Sequence, residues 1–280
     1  MNITSSRVVA AAAAALVILA PAPPAAQAEE PGTLVNIGDS IASDPVVTDW
    51  LPYARRIPTA ASEASPIGCP TGPNTYGKQV AAGLGLVELD YSCTGMAATK
   101  PENEDLAETA DTAIADGALS ANTRRVLVTI GANDAYDARY NPAAWNVEAF
   151  VQAAAVSVEK IKAAAPNARV QIIGYPTIAD GDDVCPIHVI PSQFVASPAV
   201  SIPQVRAAEN IAQDMQKQLA QRTGVEFVDM KPSTVANGMC APDGQRQFAG
   251  VIDTTGPGNN LPFHANAAGH AHIAEVILRS

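Results

Sequence analysis

Residues with chemical potential follow three apolar runs of strand length, at the point where each run ends. The first run, in "LVNIGDSIAS", ends in Gly38-Asp39-Ser40, and two later runs lead to Gly95 of "SCTGM" and Asn133 of "TIGANDA". His264 lies in "LPFHANAAGH", just before the last helical pattern. A serine is a weak nucleophile until an imidazole removes its proton, and the resulting anion needs fixed donors. This set of residues therefore predicts acyl transfer through a nucleophilic serine.

The Gly-Asp-Ser tripeptide taken alone is a weak signal. Its three residue types are all common in turns, and Ser40 could be no more than the N-cap of a helix. Asp39 is predicted to brace the turn with its side chain rather than to take part in chemistry. The interpretation of Ser40 as a nucleophile rests on its combination with Gly95, Asn133 and His264.

Apolar runs of strand length alternate with stretches of helical period, which indicates a parallel sheet with crossover helices. The predicted strands span 33–38, 86–92, 125–131, 169–175 and 225–230. The predicted helices span about 74–84, 104–116, 143–165, 204–222 and 266–278. Ligands of open parallel sheets bind outside the carboxyl ends of the strands. Because Ser40, Gly95 and Asn133 each follow a strand, we expect them to share this edge.

Three long segments show no sustained period and are predicted to be loops: residues 44–73, 176–203 and 231–263. Loops of this length in a compact domain are usually functional or cross-linked. We expect them to shape the pockets for the acyl and alcohol parts of a substrate. No linker or change of composition divides the rest of the chain, which predicts one domain over residues 29–280.

Residues 1–28 have the pattern of an export signal. Arg7 precedes an apolar stretch that ends in "ALVILA", and "AQA" at 26–28 has the small-x-small form of a cleavage site. The alternative is an uncleaved anchor, which is disfavoured because Pro21 and its neighbours interrupt a stretch shorter than a bilayer requires. The sequence therefore predicts a secreted protein that is extracellular or associated with the cell envelope.

The chain is acidic, with 17 Lys and Arg against 28 Asp and Glu and a formal net charge of −11. No run of basic residues forms a patch, which argues against nucleic acid as a partner because phosphate binding depends on clustered cations. The four cysteines are an even number in an exported chain, so disulfides are expected in one of three pairings. No C-x-x-C is present, which argues against a zinc knuckle or a thioredoxin-type redox pair.

Four motifs, in order, resemble the SGNH (GDSL) hydrolase family across nearly the whole mature chain. They are Gly38-Asp39-Ser40-Ile41, Gly95, Gly131-x-Asn133-Asp134 and His264. The segments "IGCP" and "YSCTGM" and the Pro-rich loops further resemble the secreted actinobacterial esterases and lipases of this family. The resemblance implies an α/β fold, a three-layer α/β/α sandwich around a five-stranded parallel sheet of flavodoxin-like type.

The resemblance also implies a role for each matching residue. Ser40 would be the nucleophile and His264 the base, and the oxyanion hole would consist of the N–H of Ser40, the N–H of Gly95 and the side chain of Asn133. Asp134 is expected only to hydrogen-bond the loop that holds Asn133. The implied reaction is hydrolysis of a small-molecule, lipid or glycan ester through an acyl-enzyme, by a monomer without metal or other cofactor. Transient contact with the cell envelope is also expected.

The stretch before His264 departs from the family pattern. The family commonly has an aspartate three residues before the histidine and a proline directly after it, whereas this chain has Leu261 and Ala265. In some secreted relatives a backbone carbonyl takes the role of the aspartate. The preferred hypothesis is therefore a Ser-His dyad whose imidazole is oriented by the carbonyl of Leu261. Asp253, from the same loop, is the less favoured third member.

The other histidines and the cysteines are given structural roles. His264, His270 and His272 could suggest a metal site, but no cysteine or carboxylate stands at a characteristic spacing, so His270 is expected to pack behind the site. The order of the predicted strands favours the disulfides Cys69–Cys93 and Cys185–Cys240, each bracing a loop at the candidate edge.

Two other functions use the same residues or the same fold. An acyl-enzyme can pass its acyl group to a sugar hydroxyl, which would make a cell-envelope O-acyltransferase, and the same site could act as a glycan O-acetylesterase. A non-catalytic envelope-binding protein is a further hypothesis, which the complete set of Ser, Gly, Asn and His disfavours. Short acyl esters, longer lipids and acetylated glycans are all candidate substrates.

Overall fold

A computed structural model of the chain describes residues 31–100, 104–136 and 146–280. The predicted export signal at 1–28 and the first residues of the predicted helix 143–165 lie outside the described residues. The segment from Pro31 to Ser280 packs as one unit. None of the described helices combines the length and the apolar character that crossing a bilayer requires.

Five parallel strands form the central sheet. Counted along the chain, they lie side by side across the sheet in the order second, first, third, fourth, fifth. They are β1 (Thr33–Gly38), β2 (Val87–Asp90), β3 (Thr123–Thr129), β4 (Arg169–Ile173) and, after three short strands, β8 (Glu226–Val228). This is the flavodoxin-like doubly wound order, so the predicted fold class is confirmed. The short strands are β5 (Asp183–Val184), β6 (Ile187–His188), β7 (Val200–Ser201) and β9 (Ile252–Asp253).

Helices cover both faces of the sheet. Their bounds are α1 (Ser40–Ser43), α2 (Val47–Ala54), α3 (Tyr76–Leu84), α4 (Leu106–Ala115), α5 (Ala132–Tyr136), α6 (Val147–Ala164), α7 (Pro203–Thr223), α8 (Lys231–Thr234) and α9 (Ala267–Arg279). Alternate residues of β1 enter two cores: Val35 packs with apolar residues of α4, α6 and α7, and Leu34 packs with those of α3 and α9. Because both faces are buried, the strand reads as a nearly continuous apolar run.

Short regular elements interrupt all three predicted loops. Residues 44–73 include α2, which the sequence analysis did not identify. This helix spans eight residues, contains Pro52 and has no buried residue. The loops at 176–203 and 231–263 contain the short strands and α8. Disulfides join Cys69 to Cys93 and Cys185 to Cys240, which are the predicted pairs. The first fixes the 44–73 segment to the turn after β2, and the second joins the two later loops.

Candidate active site

Ser40 is the first residue of α1 and lies directly after β1. Gly38 makes this turn possible, since a Cβ at this position would lie 2.7 Å from the carbonyl oxygen of Thr129 on β3. Asp39 is the N-cap of α1, and its Oδ1 accepts the N–H of Ile41 at 3.0 Å. The turn therefore presents a partly exposed serine at the carboxyl edge of the sheet, with Asp39 in the predicted bracing role.

The turn that carries Gly95 lies against the Ser40 helix. The N–H of Cys93 donates to the carbonyl of Gly38 at 2.8 Å, and the hydroxyls of Ser43 and Thr94 are 3.3 Å apart. Gly95 has φ +93°, in the left-handed region that favours glycine. The backbone after β2 is thus joined directly to the backbone after β1.

Asn133 joins a third turn to the second. It lies in α5, and its Nδ2 donates to the carbonyl of Met96 at 2.9 Å, which leaves the second hydrogen of the amide for another acceptor. Asp134 accepts the N–H of Thr99 at 2.8 Å and its hydroxyl at 2.6 Å. Asp134 therefore braces the segment after Gly95, whereas the sequence had suggested that it would bond the loop of Asn133 itself.

Tyr175 connects the first turn to the third. Its hydroxyl donates to Oδ2 of Asp39 and accepts the N–H of Ala132 at 3.0 Å. Burial raises the pKa of Asp39 to about 7, an effect that the hydrogen bonds from Tyr175 and Ile41 oppose. A single phenol therefore fixes the residues next to both Ser40 and Asn133.

His264 is oriented by the carbonyl of Pro262, and the prediction of Leu261 was wrong. Nδ1 of His264 lies 2.9 Å from the oxygen of Pro262. The chain turns at Phe263, which has φ +58°, between Pro262 and the imidazole. The carbonyl of Leu261 instead accepts the side-chain N–H of Asn259 at 3.3 Å, while its side chain is buried.

Asp253, the alternative third member, is engaged in a different interaction. Its two oxygens accept from Nη2 and Nε of Arg246 at 2.9 and 3.1 Å. The Arg246 side chain is fully buried and also donates to Asp243 at 2.8 Å. A buried guanidinium requires such partners, so this carboxylate holds the loop at 241–256 together and does not orient His264.

The loop of His264 is attached to the Ser40 helix through Asp44. Oδ2 of Asp44 accepts Nδ2 of Asn260 at 2.8 Å and lies 3.0 Å from Nε2 of His270. The other ring nitrogen of His270 accepts the N–H of Tyr76 at 3.3 Å. Asp44 follows Ser40 by one helical turn, and Asn260 precedes His264 by four residues, so the contact joins the segment of Ser40 to the segment of His264.

Within the part of the chain that the structure describes, no histidine belongs to a group of side chains close enough to share a metal ion. His270 is buried and stacked on Tyr76, with the ring centroids 6.0 Å apart, which agrees with the predicted packing role. Nε2 of His272 lies 2.8 Å from the hydroxyl of Ser233.

Burial lowers the pKa of His264, although the Pro262 carbonyl and the charge of Asp44 act in the opposite direction.

Tyr175, Asp44 and Asn260 were missed by the sequence analysis. Tyr175 had a usable signal, since it follows β4 at the same edge as the other candidate residues. Asp44 and Asn260 gave none, because their pairing joins positions 216 residues apart.

The doubly wound sheet, with its serine, asparagine and histidine loops at the carboxyl edge, has the architecture of the SGNH hydrolases. The chain matches the GDSL-like Lipase/Acylhydrolase family over residues 37–272 and belongs to this family. Lipase 2 of Streptomyces coelicolor is 31% identical over 118 residues. That alignment covers 41% of this chain and 37% of Lipase 2.

Solved structures share the fold at low sequence identity. Phospholipase A1 from Streptomyces albidoflavus NA297 is 20% identical, with a TM-score of 0.60 over 89% of this chain and 98% of that one. An extracellular lipase from Streptomyces rimosus is 17% identical, with a TM-score of 0.55 over 88% and 98%. An acetylxylan esterase from Geobacillus stearothermophilus is 16% identical, with a TM-score of 0.53 over 89% and 93%.

Proposed function

We propose that the chain hydrolyses carboxylic esters through an acyl-enzyme on Ser40, with His264 as the base. The observation that carries this proposal is the set of hydrogen bonds among the turns of Ser40, Gly95 and Asn133. Turns from three separate strands are joined by these bonds, and the first of them carries the partly exposed Ser40. Fixed donors beside a nucleophile are what acyl transfer requires.

The orientation of His264 supports its role as the base. Nδ1 faces the carbonyl oxygen of Pro262 and therefore carries the ring proton, which leaves the lone pair on Nε2. Nε2 takes the proton of Ser40 as Oγ attacks the ester carbon, and it gives that proton to the departing alkoxide. Water then attacks the acyl-enzyme, loses a proton to Nε2, and releases the carboxylic acid as Ser40 regains its hydroxyl.

The tetrahedral intermediates carry a negative oxygen that needs donors. The N–H of Ser40, the N–H of Gly95 and the second hydrogen of the Asn133 amide are the proposed set. The bond from Asn133 to the carbonyl of Met96 fixes the amide plane, so the remaining hydrogen has a defined direction. Donors fixed before the reaction lose little energy to reorganisation when the charge develops.

The proposal includes the setting of the enzyme. Residues 1–28 would direct export and be removed, and residues 29–280 would act as a single-domain monomer outside the cell, in contact with ester substrates. The two disulfides support an oxidising compartment, since such bonds persist there and are rare in the cytosol.

A fluorophosphonate probe tests the function directly. The purified mature chain should hydrolyse nitrophenyl esters, lose that activity on treatment with the probe, and carry the probe on Ser40 in peptide mass spectra. Adding a glycan acceptor separates hydrolysis from acyl transfer, because a transferase would form an acylated sugar. Ester hydrolysis without modification of Ser40 would refute the assigned nucleophile, and the absence of both would favour a binding protein.

Replacing Tyr175 by phenylalanine is expected to lower kcat about 10- to 100-fold. The change removes the hydroxyl that joins Asp39 to the N–H of Ala132, and small displacements of reacting groups cost factors of this size. Steady-state hydrolysis of a soluble ester measures the effect, with KM expected to change little.

The matched control is Tyr91→Phe. This tyrosine also donates its hydroxyl to a carboxylate, that of Asp116 at 2.9 Å, but its bond does not join two turns of the site. Equal losses of kcat in the two variants would show that Tyr175 has no special effect on the site.

The imidazole of His264 is expected to titrate below the ordinary histidine value of about 6.5. Burial disfavours the charged ring and lowers its pKa, so the base stays neutral, and therefore active, to a lower pH. The acid limb of kcat/KM should follow the same shift.

Heteronuclear NMR of isotope-labelled histidine measures this pKa directly. The His264 signal is assigned by its absence in His264→Gln. A midpoint for His264 at or above 6.5 would contradict the prediction.

A further inference from the structure

A group of exposed apolar side chains lies in the loops between β4 and α9. Their relative exposures run from 42 to 72%, and Phe194 is the most exposed. We name this surface the apolar rim and define it as Ile187, Val189, Ile190, Phe194, Val195 and Ile252. Ile187 and Ile252 are directly paired in the β6–β9 ladder, so the two loops contribute to one surface. Val189 and Ile190 follow Ile187 closely in the sequence, and Phe194 and Val195 are adjacent; exposed apolar side chains grouped in this way mark interaction sites.

The apolar rim is held in place rather than loosely attached. At its base, the disulfide Cys185–Cys240 joins the two loops. The backbone N–H of Ser192 donates to Asp243 at 2.9 Å, and the N–H of Asp243 donates back to the Ser192 hydroxyl at 3.1 Å. Such fixation lowers the entropy lost on binding, because the side chains are already displayed.

A second contact fixes the carboxyl-terminal side of the turn that carries Phe194. The hydroxyl of Ser197 lies 2.6 Å from Nδ1 of the buried His188. Backbone hydrogen bonds from Phe194 and Val195 to the carbonyl of Pro191, at 2.9 and 3.4 Å, make the turn between these attachments. Phe194 is thus displayed at a turn whose two flanks are bonded to the body of the protein.

The distribution of charged residues indicates which kind of lipid surface the apolar rim would bind. Residues 184–205 contain no Asp, Glu, Lys or Arg, in a chain whose formal net charge is −11. Below the rim, Arg246 is paired with Asp253 and Asp243, and it is fully buried. Anionic lipid would be repelled by the acidic protein and would find no cation in this segment. An uncharged or zwitterionic lipid surface carries no net charge and is not repelled in this way.

The apolar rim borders the candidate active site. The N–H of Ala249 donates to the carbonyl of His264 at 2.8 Å, and the N–H of Phe263 donates to the carbonyl of Gly250 at 3.0 Å. Ile252 of the rim follows two residues later. A lipid surface in contact with the rim would therefore lie next to the loop of the proposed base.

We propose that the apolar rim docks the enzyme on the surface of aggregated lipid esters with uncharged or zwitterionic head groups, placing long acyl chains beside Ser40 and His264. This rests on the proposed ester hydrolysis and names the substrate class of that site as aggregated lipid rather than acetylated glycan. Insertion of several large apolar side chains into lipid gives the binding energy.

Vesicle binding tests the docking without catalysis. The Ser40→Ala protein should co-sediment with phosphatidylcholine vesicles, and the added changes Ile190→Ser and Phe194→Ser should weaken that binding about tenfold or more. Val156→Ser is the matched control, because Val156 is 58% exposed but lies on α6, outside the rim. Phosphatidylglycerol vesicles should bind no more tightly than phosphatidylcholine vesicles.

Activity measurements separate this inference from the proposed function. With Ser40 present, Ile190→Ser/Phe194→Ser should leave hydrolysis of soluble nitrophenyl butyrate unchanged and lower hydrolysis of emulsified nitrophenyl palmitate about tenfold or more. A protein without activity on the soluble ester would refute the proposed function. The docking proposal would still be tested in that case, because vesicle binding by the Ser40→Ala protein does not depend on catalysis.

Three results would overturn the docking proposal. One is vesicle binding that Ile190→Ser/Phe194→Ser does not weaken, and another is binding that requires anionic lipid. The third is a dimer in analytical ultracentrifugation that these changes convert to a monomer without affecting vesicle binding, which would assign the rim to a second copy of the chain.

Discussion

Ser40→Ala is expected to lower kcat for ester hydrolysis by about 10⁵- to 10⁶-fold. The change removes the atom that would form the acyl-enzyme and leaves the oxyanion donors in place. Ser40 is partly exposed, and no hydrogen bond that braces the turn uses its side chain, so the free energy of unfolding should change by less than about 0.5 kcal/mol. Initial rates and chemical denaturation measure the two effects.

A second Ser-His pair provides the control. The hydroxyl of Ser197 lies 2.6 Å from Nδ1 of His188, in the loop between the short strands β6 and β7. Ser197→Ala should keep nearly full activity on a soluble ester, because proximity to an imidazole does not make a nucleophilic site without oxyanion donors. A large loss in Ser197→Ala together with an active Ser40→Ala would move the nucleophile to the other loop.

His264→Gln should lower kcat nearly as much as Ser40→Ala, because the serine then has no base. The two residues act as a unit, so the double variant should be little worse than either single variant. Steady-state rates of the three variants at one pH provide the comparison, and circular dichroism checks that each is folded.

His272→Gln is the matched control for this change. His272 is another histidine near the start of α9, bonded to Ser233, and its replacement should leave kcat within a factor of about two. Losses for Ser40→Ala and His264→Gln that multiply in the double variant would show that the residues act independently, which contradicts a dyad.

The sheet could be predicted from the sequence because its signal is local. β1, β3 and β4 are buried on both faces and read as apolar runs ended by glycine, and the helices between them have a regular period. The positions of Ser40, Gly95 and Asn133 followed from the same logic, since each comes directly after a strand. This reasoning needs no knowledge of contacts between distant residues.

The contacts behind the site could not be predicted in the same way. The carbonyl that orients His264 depends on one dihedral angle, the positive φ of Phe263, which selects Pro262 and not Leu261. The bond from Asn260 to Asp44 depends on the final packing of two loops. α2 is short, contains Pro52 and carries no buried residue, so its helical period was not recognised in the sequence.

The bond between Asp44 and Asn260 has a consequence for the order of folding. It closes a loop of 216 residues, and contacts of such long range form slowly because chain entropy opposes them. The local contacts that make the helices form much sooner. The proposed ester hydrolysis is therefore expected to return late in refolding, only after the segment of Ser40 and the segment of His264 have met.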